Sequence, residues 1–118
     1  MRHMELGRVV LFAGGTGNPY FSTDTAAVLR AIEMESDVVI KATKVSGVFT
    51  ADPVTDPTAE FIPQITFHEV VRRELGVMDA PAVSLCKDNN LPIIVLSLSE
   101  RGTVASAIRG ERVGTLVS

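Results

Sequence analysis

The 118 residues leave room for one domain. A net charge of −3, with 46% hydrophobic and 21% charged residues, describes a globular chain rather than a disordered one. The eleven basic residues are scattered among fourteen acidic ones, and there is no Trp and one Tyr. Neither a counterion-releasing stripe nor a base-stacking platform results, so nucleic acid is not an expected partner.

The opening MRHMELGR lacks the apolar core of a signal peptide. Residues 9–13 are the longest apolar run and fall far short of the roughly 20 residues of a membrane span. A single cysteine, Cys86, excludes an internal disulfide framework. A cytoplasmic protein with no membrane partner is expected.

In chain order, residues 8–13 (RVVLFA) read as a buried strand stopped by Gly14-Gly15. Residues 14–24 form a glycine-rich loop in which Thr23 or Asp24 caps a helix over 25–35. A second buried strand follows at 38–42, giving strand–helix–strand with a parallel crossover. Residues 43–65 carry Gly47, Pro53, Pro57 and Pro63 and read as a long loop, a common place for function. Thr66 and Glu69 fit a capping box for a helix to about Leu75, stopped by Gly76. Asp79 caps a further helix to about Asn89, with Pro81 in its first turn. A strand at 93–97, a short helix at 103–109 and a last strand at 114–117 complete an α/β chain with mostly parallel strands. The sheet begins so abruptly that an N-terminal portion is expected to be missing.

Three places invite chemistry. The loop from Gly14 to Asp24 presents backbone N–H groups at a helix start, which suits a phosphate, or it is simply a tight capped turn. It is neither a Walker loop nor G-x-G-x-x-G, so a dinucleotide-binding domain is disfavoured. Lys41 closes a buried strand, where a lysine either faces an anion or snorkels to water. Phe49 could lie against a planar base and Asp52 accept from a ribose or base donor, or the two are a packed aromatic and an Asp-Pro turn. His3 and His68 have no carboxylate cluster, so no protein-held metal site is expected, and Cys86 reads as a small buried hydrophobe.

At these strings the chain resembles bacterial-type uridylate kinases of the amino acid kinase superfamily. The matching segments are GGTGNPYFSTDTAAVLRAIE (14–33), DVVIKATKVSGVFTADPVTDPTA (37–59), VMDAPAVSLCKDNNLPIIV (77–95) and VGTLVS (113–118). Aspartokinases and acetylglutamate kinases typically end the corresponding strand in Thr-Asp-Val, whereas here it runs Lys41-Ala-Thr-Lys-Val45.

The resemblance implies a three-layer αβα fold of the carbamate kinase-like type, with residues 1–118 as its C-terminal, ATP-side part and the N-terminal half absent. It implies transfer of the γ-phosphoryl group of ATP to UMP with Mg²⁺. The implied UMP loop is Thr16, Gly17, Asn18, Pro19, Tyr20, Phe21, Ser22 and Thr23, and the implied ATP contacts are Thr43, Phe49 and Asp52. Asp24 matches an aspartate that orients catalytic lysines, and Lys41 a cation near the transferring phosphate. The resemblance further implies a homo-oligomer, a hexamer in full-length members of the family, with GTP and UTP as effectors.

The family's Lys-x-Ser-Gly-Glu and Gly-Gly-Gly-Asn strings do not occur here, and Ser46 stands where Asp is usual. Ala80-Pro81 and residues 97–101 also depart from the usual pattern. The isolated chain is therefore expected to turn over weakly or not at all. The alternative is a non-catalytic nucleotide-binding or assembly module.

Overall fold

The computed structural model describes residues 2–13, 23–99 and 101–118, with the backbone alone at residues 3 and 4. A short helix, α1 (Arg2–Glu5), opens the chain. Helix α2 (Thr23–Glu33) leads into β1 (Val39–Thr43). A hairpin of β2 (Val48–Phe49) and β3 (Phe61–Ile62) precedes β4 (Gln64–Ile65). Helices α3 (Phe67–Arg72) and α4 (Ala80–Asp88) come next, then β5 (Ile93–Ser97), α5 (Thr103–Ile108) and β6 (Thr115–Val117).

The main sheet has the order β1-β5-β6-β4. β1 runs parallel to β5 from Val39↔Ile93 to Thr43↔Ser97, and β4 runs parallel to β6. β5 and β6 are antiparallel, with Val95 opposite Thr115. Two of the three pairings are thus parallel, and the sheet is mixed. The β2–β3 hairpin pairs separately, Val48 with Ile62 and Phe49 with Phe61.

Strand alternation divides β5 between two faces. Ile93 and Val95 point into the main core with Val28 of α2, Phe67 and Val70 of α3, and Val83 and Cys86 of α4. Leu96, on the other face, is also buried, and α5 packs there with its buried Ala107. Helices therefore cover both faces of the sheet.

The caps follow from local chemistry. Thr66 Oγ1 accepts from the Glu69 N–H at 3.1 Å, and Asp79 Oδ1 accepts from the Ala82 N–H at 3.1 Å. Asp79 Oδ1 also accepts from Thr25 Oγ1 at 3.3 Å, which ties the starts of α2 and α4 together. Helix α3 ends by placing Glu74 at φ 53°, with Glu74 N–H bonded to Val71 O and Leu75 N–H to Val70 O. This closing turn needs a left-handed residue and takes Glu74, not the expected Gly76.

Other expectations are corrected. Residues 8–13 form no strand, and Val9 and Leu11 are 93% and 91% exposed. A strand needs a ladder partner as well as apolar side chains, and among the described residues none pairs with this segment. The parallel crossover instead joins β1 to β5 by way of α3 and α4. The long loop over 43–65 contains the β2–β3 hairpin and β4, elements of two residues each and too short to show periodicity. Thr23 and Asp24 lie inside the first turn of α2 rather than before it.

Cys86 is fully buried, and burial pushes its thiol up to about 11. The folded chain at pH 8 is expected to resist an aromatic disulfide reagent, with one thiol appearing on unfolding in guanidinium, as read by absorbance. Rapid labelling of the folded chain would show that the α4 core opens.

Candidate functional site

The site grows from the carboxyl end of β1. Alternation puts Lys41 on the same face as the buried Val39, toward α2. There Lys41 Nζ meets Asp24 Oδ2 at 3.0 Å, in the first turn of that helix. Both side chains keep a little over a quarter of their surface exposed, 27% and 28%, so the pair is reachable from solvent. Two residues on, Thr43 closes the strand. Its hydroxyl donates to Val45 O at 2.8 Å and accepts from the Val45 N–H at 3.0 Å, which turns the chain toward the hairpin.

A cleft of about 520 Å³ opens beside this strand end. One wall is the turn and hairpin from Gly47 to Pro53, and Lys41, Thr43, Phe49 and Asp52 all line the cleft. Phe49 is half-buried, its ring edge-on to Phe61 with centroids 5.6 Å apart and planes at 67°. Asp52 Oδ1 accepts from the Val54 N–H at 2.9 Å, an Asx turn that fixes the carboxylate at the rim.

Sequence reasoning missed the facing wall. It is the α3–α4 connection, with Arg73, Glu74 and Val77 lining the cleft. No local motif marks these residues as a wall, because tertiary packing alone brings the turn against the hairpin. Glu69 organises its base. Its carboxylate accepts from Arg72 Nη2 at 2.7 Å and from Arg73 Nε at 2.9 Å.

Asp24 and Lys41 are thus brought together, and Thr43, Phe49 and Asp52 share one cleft with Lys41. Thr23 stands exposed at the start of α2. The remaining loop candidates, Thr16, Gly17, Asn18, Pro19, Tyr20, Phe21 and Ser22, lie outside the described residues. Among the described residues no group of three or more His, Cys, Asp or Glu side chains is placed to hold a metal ion. Nor is any helix among them long and apolar enough to cross a membrane.

A sheet with helices on both faces and a cleft at the carboxyl end of a parallel strand define an α/β domain, a class that places its ligands at such clefts. The profile of the Amino acid kinase family matches residues 1–97, and the chain belongs to that family. It is 55% identical over 117 residues to "Uridylate kinase PUMPKIN, chloroplastic" of Arabidopsis thaliana, covering 99% of this chain and 34% of that protein. It is 53% identical over 117 residues to the uridylate kinase of Ectopseudomonas mendocina (strain ymp), covering 99% of this chain and 47% of that protein. The crystal structure of UMP kinase from Bacillus anthracis superposes with a TM-score of 0.96 at 41% identity, over 99% of this chain and 48% of that one. The amino acid kinase fold is therefore shared, and the chain spans less than half the length of these relatives.

The hydrogen bond from Arg72, with a smaller contribution from Arg73, holds the Glu69 carboxyl down at about 2, against an ordinary 4.5. Its folded value lies below its unfolded one, so the stability it contributes is present above pH 4.5 and lost as pH falls toward 2. Glu69→Gln is expected to flatten the acid-unfolding curve in that interval, as followed by circular dichroism. An unchanged curve would remove Glu69 from the support of this wall.

Proposed function

We propose that the chain supplies the donor-nucleotide side of a UMP kinase, which moves the γ-phosphoryl group of ATP to UMP and yields UDP and ADP. The observation that carries this reading is the single cleft joining Lys41, Thr43, Phe49 and Asp52, with Lys41 held by Asp24. That the relatives are uridylate kinases supports UMP as the acceptor.

Phosphoryl transfer asks a protein mainly for in-line positioning and for charge on the phosphoryl oxygens. Lys41 brings a cation to the strand end, and Asp24 fixes where its ammonium sits. Phe49 offers an aromatic surface to the base. Asp52 has committed Oδ1 to the Val54 N–H, which leaves its other oxygen to accept from a ribose hydroxyl. Thr43 shapes the turn between the phosphate and base ends of the cleft. The acceptor nucleotide falls to the loop ending at Thr23, with Thr16 and Asn18 as further polar contacts.

Mg²⁺ prefers phosphate oxygens and waters with only one or two carboxylates. Asp24 and Asp52 are each already engaged through one oxygen, which suits a metal that arrives on the phosphates of ATP as part of the substrate. Bound there, it would neutralise charge on the transferring group.

A coupled ADP-release assay with ATP, Mg²⁺ and UMP tests the reading. It is run on the chain alone and on the chain joined to uridylate kinase residues carrying Lys-x-Ser-Gly-Glu and Gly-Gly-Gly-Asn. Turnover is expected only in the joined protein. In it, Lys41→Met lowers kcat by about 10²–10³-fold, as loss of a charge-stabilising group does. Asp52→Ala raises KM for ATP about tenfold and spares KM for UMP, the effect of one lost hydrogen bond to a charged group. A folded joined protein without activity contradicts the proposal.

A further inference from the structure

Thr115 stands outside the cleft, at the start of β6, and is fully buried. A buried hydroxyl must find partners, and this one uses both its functions. It accepts from the Val48 N–H at 2.8 Å and donates to the Ile62 carbonyl. Val48 and Ile62 face each other across the β2–β3 hairpin. One side chain therefore fastens both strands of the hairpin to the main sheet.

The hairpin needs such a fastening. Its strands are two residues long, and an isolated two-stranded ribbon is marginal in water. Beyond the paired residues, Thr50 N–H bonds to Glu60 O at 2.9 Å, and Glu60 N–H bonds to Thr50 Oγ1 at 2.9 Å. These bonds close the hairpin on itself without attaching it to the sheet.

The space around the hydroxyl is fully used. A Cβ on Gly47 would lie 2.5 Å from Thr115 Oγ1 and 2.7 Å from the Phe61 ring edge. Glycine at 47 thus lets the hydroxyl and the ring close on the turn. The same Phe61 ring meets Phe49 edge-on. On the sheet side, Thr115 pairs with Val95, and Val95 is also the register partner of Lys41. Lys41 and the clamp on the hairpin therefore sit on one rung of the sheet.

We infer that Thr115 is a positioning residue for the donor nucleotide: its hydroxyl holds the hairpin so that Phe49 and Asp52 keep one geometry relative to Lys41. This rests on the donor-site reading above. Without the hydroxyl the hairpin spends only a fraction of its time in the binding geometry, and the apparent dissociation constant rises by the inverse of that fraction. The groups that touch the transferring phosphate are unchanged.

Four forms of the full chain test this: the original, Thr115→Val, which keeps the shape without the hydroxyl, Thr115→Ser, which keeps the hydroxyl, and Gly47→Ala, which crowds it. ATP binding is measured by calorimetry at a temperature where circular dichroism shows each form folded. Amide exchange over residues 48–62 is followed in parallel. Thr115→Val and Gly47→Ala are expected to weaken ATP binding about tenfold and to speed exchange at residues 48–50, with Thr115→Ser within about twofold of the original.

Original affinity in folded Thr115→Val, or equal losses in Thr115→Ser and Thr115→Val, overturns the inference alone. If Thr115→Val does not fold, unchanged affinity in folded Gly47→Ala overturns it. A folded original chain that binds no ATP overturns the donor-site reading and this inference with it, whatever the exchange data show.

Discussion

Everything that positions the cleft hangs from β5, a strand hydrogen-bonded on both edges and covered on both faces. Its parallel register with β1 sets Lys41 beside Val95, and its antiparallel register with β6 sets Thr115 on the other side of the same residue. With strands about 4.8 Å apart, the lysine and the threonine stand about 10 Å from each other across one rung. Slipping either neighbour by one residue would turn that side chain to the opposite face. Gly114 guards the register on one side. It sits at φ 63°, and a Cβ there would lie 2.0 Å from Val95 O, so no other residue lets β6 start so close to β5.

The two walls differ in kind. The hairpin wall is attached to the sheet by the two hydrogen bonds of the buried Thr115, which are directional and insensitive to salt. The α3–α4 wall is organised at the surface by Glu69 between two arginines, and exposed pairs of this kind weaken in salt. The Lys41–Asp24 pair lies between these extremes, partly screened and partly buried. The Lys41 ammonium is thus already directed, but not locked away from solvent.

The legible parts of the chain were those with local causes. Thr66 and Asp79 announced their helices because a short polar side chain before a helix satisfies its free N–H groups. β5 was legible because a strand buried on both faces is written as an unbroken apolar run. Lys41 stood out as a charge at the end of such a run, and its partner Asp24 sits only 17 residues earlier. Residues 8–13 carry the same kind of run without forming a strand, since pairing is a property of the sheet and not of the segment. The hairpin was hidden in a proline-rich stretch, and the reach of Thr115 to Val48 spans 67 residues, a contact no local pattern encodes.

The account depends on one cleft receiving the donor nucleotide between these two walls. The direct measurement is a titration of the isotope-labelled chain with ADP, followed by backbone amide chemical shifts. The account predicts shifts concentrated in residues 41–53 and 73–77, with a smaller echo at Thr115 and Gly114. Shifts confined to residues outside these segments, or no saturable shifts in a folded chain, would contradict it.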